Sequence, residues 1–304
     1  MHIITVRGPI SPKEMGLTLP HEHILVDFVG AEETGTHRYV DDEVKLVMRP
    51  YLEDIKLRGV QTLIECTPMF LARDVQLFRD LSQETDLHII TNTGQYKEPF
   101  LPKRTFEITA EELAADWIRE SEEGIDGTDI RPGFIKTAVA NDTLAPTQIK
   151  VIKAAAITSK QTGLAIATHT GVAAAAFEIV DILYRTGVGP EKWIFVHAQN
   201  EEDPHKLVEL AKRGVWISLD GLGPQSQDKH YDSFAVLLEA GLEHKVMLSH
   251  DAGWYHVGEP NGGTVRPFTF LFDDFIPFMR KKGVAENTIE LMTRKNPSIA
   301  FGVG

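Results

Sequence analysis

Six positions in this sequence combine residue types and spacing that suit metal chemistry. Leu19-Pro20-His21-Glu22-His23-Ile24-Leu25-Val26-Asp27 is an apolar run carrying two histidines one residue apart. Side chains alternate faces along an extended strand, so His21 and His23 share a face and Glu22 points the other way. Such a pair can hold one metal ion or hydrogen-bond within a core, and the other strands decide between these. His169 in Ala167-Thr168-His169-Thr170-Gly171, His197 in Phe195-Val196-His197-Ala198, and Asp251 in Leu248-Ser249-His250-Asp251 each follow an apolar stretch. Four imidazoles and a carboxylate suit zinc or a similar transition metal, and cobalt, manganese and iron are accepted by the same donors.

The sixth position is Lys136, within Gly133-Phe134-Ile135-Lys136-Thr137-Ala138-Val139. An ammonium beside other cations is repelled, and a lysine at the end of a buried strand is costly. Two readings resolve this. Lys136 pairs with Asp251 or with an anionic substrate, or it reacts with carbon dioxide to become a carbamate, an anion whose two oxygens can bridge two metals.

These residues must be carried by repeated strand and helix units. Strands are expected at Ile3 to Val6, through the histidine run to Asp27, and at Val60 to Cys66, Leu87 to Asn92, Gly133 to Val139, Leu164 to Thr168, Trp193 to Val196, Val215 to Leu219 and Val246 to Ser249. Helical patterns alternate with them. One begins at Asp41 or Asp42, contains Pro50 as an expected kink, and stops at Arg58-Gly59. Thr109-Ala110-Glu111-Glu112 fits a capping box. Gly59, Gly163, Gly214 and Gly241 each follow a helix and precede an apolar residue, the place of a left-handed cap. Two helices, near Phe268 to Lys282 and Glu286 to Arg294, close the chain. Eight strands, each followed by a helical pattern, predict an α/β fold, a (β/α)8 TIM barrel forming one domain over residues 1–304. An open doubly wound sheet is the alternative, and the lack of a glycine-rich turn after the first strand counts against it. In a barrel, chemistry sits at the C-terminal ends of the strands, where all six residues fall.

Composition narrows the partners. Against 31 lysines and arginines stand 44 acidic residues, a formal charge of −13 that repels nucleic acid and anionic membrane surfaces. The single cysteine, Cys66, has no partner for an internal disulfide. No run of about 18 apolar residues suggests a membrane span. The expectation is a cytoplasmic protein acting on a small molecule.

The His21-Glu22-His23 strand, Lys136, Thr168-His169-Thr170, Val196-His197 and Ser249-His250-Asp251, in this order, resemble the phosphotriesterase family of the amidohydrolase superfamily, which includes the phosphotriesterase-like lactonases. The likeness covers essentially the whole chain, with Gly124-Ile125-Asp126-Gly127-Thr128 and Asn296-Pro297 included. It implies a binuclear centre of two divalent metal ions, zinc first among them. His21, His23 and Asp251 would bind one and His169 and His197 the other, with N-carboxylated Lys136 and a hydroxide bridging both. Asp251 would accept the proton of that nucleophile. The resemblance also implies a homodimer.

Two positions depart from the family pattern. Asn200 and Gly221 stand where efficient phosphotriester hydrolases have an acidic and a basic residue, and many lactonases carry arginine at the latter. Tyr96 matches a tyrosine near the metals. The loop from Gly253 to Arg266 contributes Trp254 and Arg266 over the mouth as candidate substrate-binding residues. Lys97, Lys103, Arg104 and Arg266 could seat an anionic substrate such as a phosphorylated sugar lactone. His250, alternating away from Asp251, is expected to orient a ligand, while His2, His37, His205, His230 and His244 read as polar-stretch or cap residues. The expected function is a metal-dependent hydrolase of a carboxylic ester, a lactone above all, with promiscuous phosphotriesterase activity. A phosphoric ester hydrolase is the second reading, and a non-catalytic metal-binding barrel the third.

Overall fold

A short antiparallel hairpin, β1 (Ile3–Thr5) and β2 (Gly8–Ile10), precedes the histidine strand β3 (Leu17–Val26), every residue of which is buried. This computed structural model describes residues 1–141 and 143–304. Strands β4 (Val60–Glu65), β5 (His88–Ile90), β6 (Asn92–Thr93), β7 (Phe134–Ala138), β8 (Ala165–His169), β9 (Trp193–Val196), β10 (Trp216–Leu219) and β11 (Val246–Leu248) follow in parallel. They lie in chain order, β6 through β11 in one run of sheet and β3, β4 and β5 in the other. β5 and β6 are one strand interrupted at Thr91. The opposite seam, between β11 and β3, is joined by Asp251 N donating to His21 O (3.1 Å) and His21 N donating to Ser249 Oγ (2.9 Å). The architecture is the expected (β/α)8 barrel.

Helices α1 (Asp41–Leu57), α2 (Val75–Thr85), α3 (Lys103–Glu107), α4 (Ala110–Glu123), α5 (Pro146–Thr162), α6 (Ala173–Thr186), α7 (Pro204–Lys212) and α8 (Gln227–Glu239) surround it. The Thr109 and Glu112 capping box forms as expected. Gly59, Gly163, Gly214 and Gly241 all adopt positive φ behind their helices. α1 departs from expectation: neither Asp41 nor Asp42 caps it, because the chain enters from extended Val40 and both aspartates already lie in the first turn, where carboxylates suit the helix dipole. The last helical segment runs past Arg294 to Ala300 through a wide turn at Leu291–Lys295.

A further strand, β12 (Gly253–His256), lies parallel to β3 within the Gly253 to Arg266 stretch read from sequence as a loop. Gly253 permits it. A Cβ there would come within 1.9 Å of His23 O, and its φ is +89°. Gly94 plays the same part beside β7, since a Cβ would lie 2.1 Å from Lys136 O. Both glycines let backbone approach a strand that carries a site residue.

The barrel interior has two ends. One is apolar: Ile3, Met15, Ile64, Phe134, Ile194, Trp216, Met247 and Phe301 pack together, Phe134 and Phe301 edge to face at 5.4 Å. Strand alternation carries this face upward from Phe134 to Lys136 on β7 and from Ala165 and Ala167 to His169 on β8.

Candidate metal centre

All six residues converge at the other end. His21, His23, Lys136, His169, His197 and Asp251 line one cavity of about 60 Å³, together with Thr67, Tyr96, Trp254 and the apolar side chains of Val26, Phe28, Pro68 and Leu71. The His21 and His23 ring centroids are 5.3 Å apart, His21 and His197 5.1 Å, and His169 and His197 4.5 Å.

Alternation alone would not bring them all inward. Val196 faces the apolar core, so its neighbour His197 should face the helices. His197 instead adopts φ +64°, which turns its ring toward the axis. Asp251 (φ +52°) and Trp254 (φ +74°) are set in the same left-handed region. Such conformations are uncommon for residues with a Cβ and gather at functional sites.

The ring nitrogens are oriented from outside. Thr67 Oγ1 donates to Leu25 O (2.9 Å) and so accepts from His23 Nδ1 (2.8 Å), leaving His23 Nε2 free to face the cavity. Asp220 takes the Nδ1 hydrogens of both His21 (3.0 Å) and His197. His197 Nε2 lies 2.8 Å from His169 Nδ1, which is also 3.0 Å from the Tyr96 hydroxyl. Glu22, on the opposite face of β3 as expected, accepts from Ser249 Oγ, His250 N and Nδ1, and Ala252 N, pinning the loop that carries Asp251. His250 Nε2 in turn accepts from Leu271 N, so His250 acts on the loop and does not enter the cavity.

Protonation follows from burial and charge. Burial lowers His21, takes His23 down to about 4, and lowers His169 further, so these imidazoles keep lone pairs at neutral pH. Burial alone would raise the Asp251 and Asp220 carboxyls. The imidazoles of His21 and His23 hold Asp251, and those of His197 and His21 hold Asp220, well below the usual carboxylate range. His197 moves upward, Asp220 overcoming the effect of its burial.

The donor set fits a cation. Asp251 Oδ1 is buried without a hydrogen-bond donor, although His23 Nε2 lies 3.1 Å and His21 Nε2 3.6 Å away, and the three groups can hold one ion. A buried anionic oxygen facing imidazole lone pairs lacks positive charge, which a metal supplies. Lys136 Nζ is buried 3.4 Å from His21 Nε2, with no carboxylate oxygen within 4.0 Å among the described residues, so the alternative of a pairing with Asp251 is not what the fold forms.

The cavity brings in Tyr96 and Trp254, the latter with its ring tilted over the His23 ring at 4.3 Å between centroids, but not Arg266. Arg266 is exposed, and its guanidinium donates to Asp251 O (2.8 Å) and His250 O (3.4 Å), bracing the loop from outside. Of the other expected anion-binding cations, Lys97 is engaged by Val139 O and Arg104 by Asp116, and Lys103 does not line the cavity. His230, read from sequence as a polar-stretch or cap residue, is buried between Ser226 O and Asp220 O. Sequence reasoning missed Asp220, Thr67 and Glu22 as orienting groups. A polar residue at the end of an apolar strand was the available signal for Asp220 and Thr67.

The comparisons agree with this geometry. A family model described as the phosphotriesterase family matches residues 1–301, and the chain belongs to that family and is a hydrolase of it. A phosphotriesterase homology protein of Escherichia coli is 29% identical, covering 94% of this chain and 98% of its own length. An aryldialkylphosphatase of Saccharolobus solfataricus is 30% identical over 97% of this chain and 98% of its own length. An N-acetyltaurine hydrolase of Xenopus tropicalis is 25% identical over 96% and 95%. No helix among the described residues is long and apolar enough to cross a membrane.

Proposed function

We propose that this chain is a binuclear metal-dependent hydrolase of uncharged carboxylic esters, lactones above all, and the observation that carries the reading is the donorless Asp251 Oδ1 facing His21 and His23. One cation would be held by His21, His23 and Asp251 and the other by His169 and His197, with Lys136 between them. Zinc suits this donor set, and cobalt, manganese and iron are tolerated by it. When bound, such a pair supplies Lewis acidity toward the scissile oxygen and makes a water nucleophilic near neutral pH.

Lys136 would serve as its carbamate. The ammonium first gives a proton to water; the neutral amine then attacks carbon dioxide, the nitrogen to carbon bond forms, one carbon to oxygen π pair moves onto oxygen, and a second proton passes from nitrogen to water. The product is an anion where the folded chain now has a buried cation without a carboxylate partner.

Asp251 is the acceptor for the proton of the attacking water, because its ionised oxygen already lies in the cavity. Tyr96 restrains the His169 ring. Trp254, Phe28 and Leu71 form an apolar wall that keeps bulk water from the reacting carbonyl.

The wall also argues about substrate charge. Among the described lining residues no arginine appears and Lys136 is the only lysine, so a phosphorylated or sulfonated tail would find no partner there. That favours neutral acyl or aryl groups over the anionic lactone considered from sequence. Asn200 and Gly221 argue against phosphotriesters as the main substrates.

Metal content of chain expressed with added zinc and bicarbonate, measured with pH-indicator hydrolysis of neutral lactones, aryl esters, N-acyl amino acids and a phosphotriester, tests the proposal. Two metals per chain and lactone turnover exceeding the others support it. Two metals with faster amide or phosphotriester turnover replace the substrate class. One metal or none removes the role given to Lys136.

A further inference from the structure

Asp220 is a carboxylate that the expected ligand set does not use, yet it touches both halves of that set. Its side chain is fully buried at the end of β10. Oδ2 lies 3.0 Å from His21 Nδ1, and Oδ1 is bonded to His197 Nδ1. An ionised carboxylate only accepts hydrogen bonds, so each ring carries a proton on Nδ1 and, when neutral, presents a bare Nε2. His21 Nε2 faces Asp251 and Lys136, and His197 Nε2 faces His169.

We propose that Asp220 is a positioning residue shared by the two metal sub-sites: one buried carboxylate sets the ring tautomers of His21 and His197 together, so that both sub-sites assemble, and fail, as one. The inference rests on the metal-dependent reading above.

The carboxylate cannot serve one ring and abandon the other. Ser218 Oγ donates to Oδ2 at 2.7 Å, and His197 N donates to Oδ1 at 3.1 Å. Its backbone is held as well, Asp220 N donating to Gln199 Oε1 (3.1 Å) and Asp220 O lying 3.1 Å from His230 Nε2. The oxygens are therefore fixed, one to each sub-site. The Thr67 hydroxyl offers the internal contrast, because it orients the His23 ring alone.

Two measurements test this. Nitrogen NMR of the metal-free wild type, labelled at histidine, is expected to find both His21 and His197 protonated at Nδ1. A neutral ring of either residue protonated at Nε2 in place of Nδ1 overturns the proposal, and this arm needs no variant. Zinc titration of Asp220→Asn, with folding checked by circular dichroism, should show both binding steps weakened about 10–100-fold, whereas Thr67→Val should weaken one step only. An Asp220→Asn chain that keeps one zinc at wild-type affinity overturns the shared role. Should Asp220→Asn fail to fold, the tautomers of the wild type decide. A wild type that binds no zinc defeats the underlying reading and the inference with it, and that result is seen before any variant is made.

Discussion

The two ends of the barrel interior are built on the same strands and by opposite rules. At one end Phe134, Ile194, Trp216 and Phe301 meet without a polar atom that lacks a partner. Two residues further along β7 stands Lys136, among imidazoles that lower one another's proton affinity and beside an Asp251 oxygen with no donor. The apolar end is satisfied as it stands, while the polar end is satisfied only by something added. Stability and function are thus separated along the strand axis, as is general for this architecture. Substitutions at one end should move folding and at the other chemistry.

The largest effect is expected at the polar end. Asp251→Asn removes the proposed proton acceptor and a proposed ligand, and kcat/KM for a neutral lactone should fall about 10²–10⁴-fold. The unfolding midpoint of the metal-free chain should fall less than for a core deletion, because the contacts with His21 and His23 that keep Asp251 ionised are lost but no hydrogen-bond donor to Oδ1 is orphaned. At the apolar end Phe134→Ala should do the reverse. Deleting a fully buried ring that packs against Phe301 should cost about 3–5 kcal/mol in denaturant unfolding, with metal content per folded chain unchanged. A chain that loses metal in proportion to stability would show the two ends to be coupled.

A third expectation uses acid. Burial places His23 at about 4 in the folded, metal-free chain, against an ordinary 6.5. As pH falls from about 6.5 toward 4 the unfolded state takes up a proton that the folded state refuses, so stability falls with falling pH. The loss from this residue approaches about 3 kcal/mol below pH 4. Above 6.5 the contribution is constant. Unfolding of His23→Gln across this window should show a shallower slope than wild type, and Phe134→Ala an unchanged one. A slope that His23→Gln leaves intact would assign the acid sensitivity to other buried groups.

The strands, the capping box at Thr109 and the glycine caps were legible because each is a local pattern with a local cause. The convergence of the six candidate residues on one cavity was legible too, since each lies in an apolar run or just after one. What could not be read was long range or conformational. His197 reaches the axis only through a positive φ that its sequence neighbours do not announce. β12 exists because β3 lies beside it, not because Gly253-Trp254-Tyr255-His256 alternates strongly. Arg266 has a free cation's sequence, but carbonyls of a loop 15 residues earlier in the chain take its guanidinium. Asp220 acts on rings from β3 and the end of β9, and no spacing along the chain encodes that triangle.

The smallest effect concerns the mouth, where the polar end meets solvent. Phe28 is 44% exposed, yet its ring lies 5.4 Å from Phe100, 5.9 Å from Trp254 and 6.1 Å from His256, so aromatics from three loops form a collar over the cavity. An exposed ring in such a cluster contributes little to folding and is available to a substrate's apolar group. Phe28→Ala should therefore raise KM about five- to tenfold for an aryl ester or a long-chain lactone, roughly the worth of one aromatic contact, with kcat unchanged. For a small unsubstituted lactone, which does not reach the collar, both constants should stay at wild-type values. Equal losses on small and large substrates would mean that Phe28 acts by holding Trp254 over the His23 ring, and the collar would then belong to the machinery of the polar end and not to substrate choice.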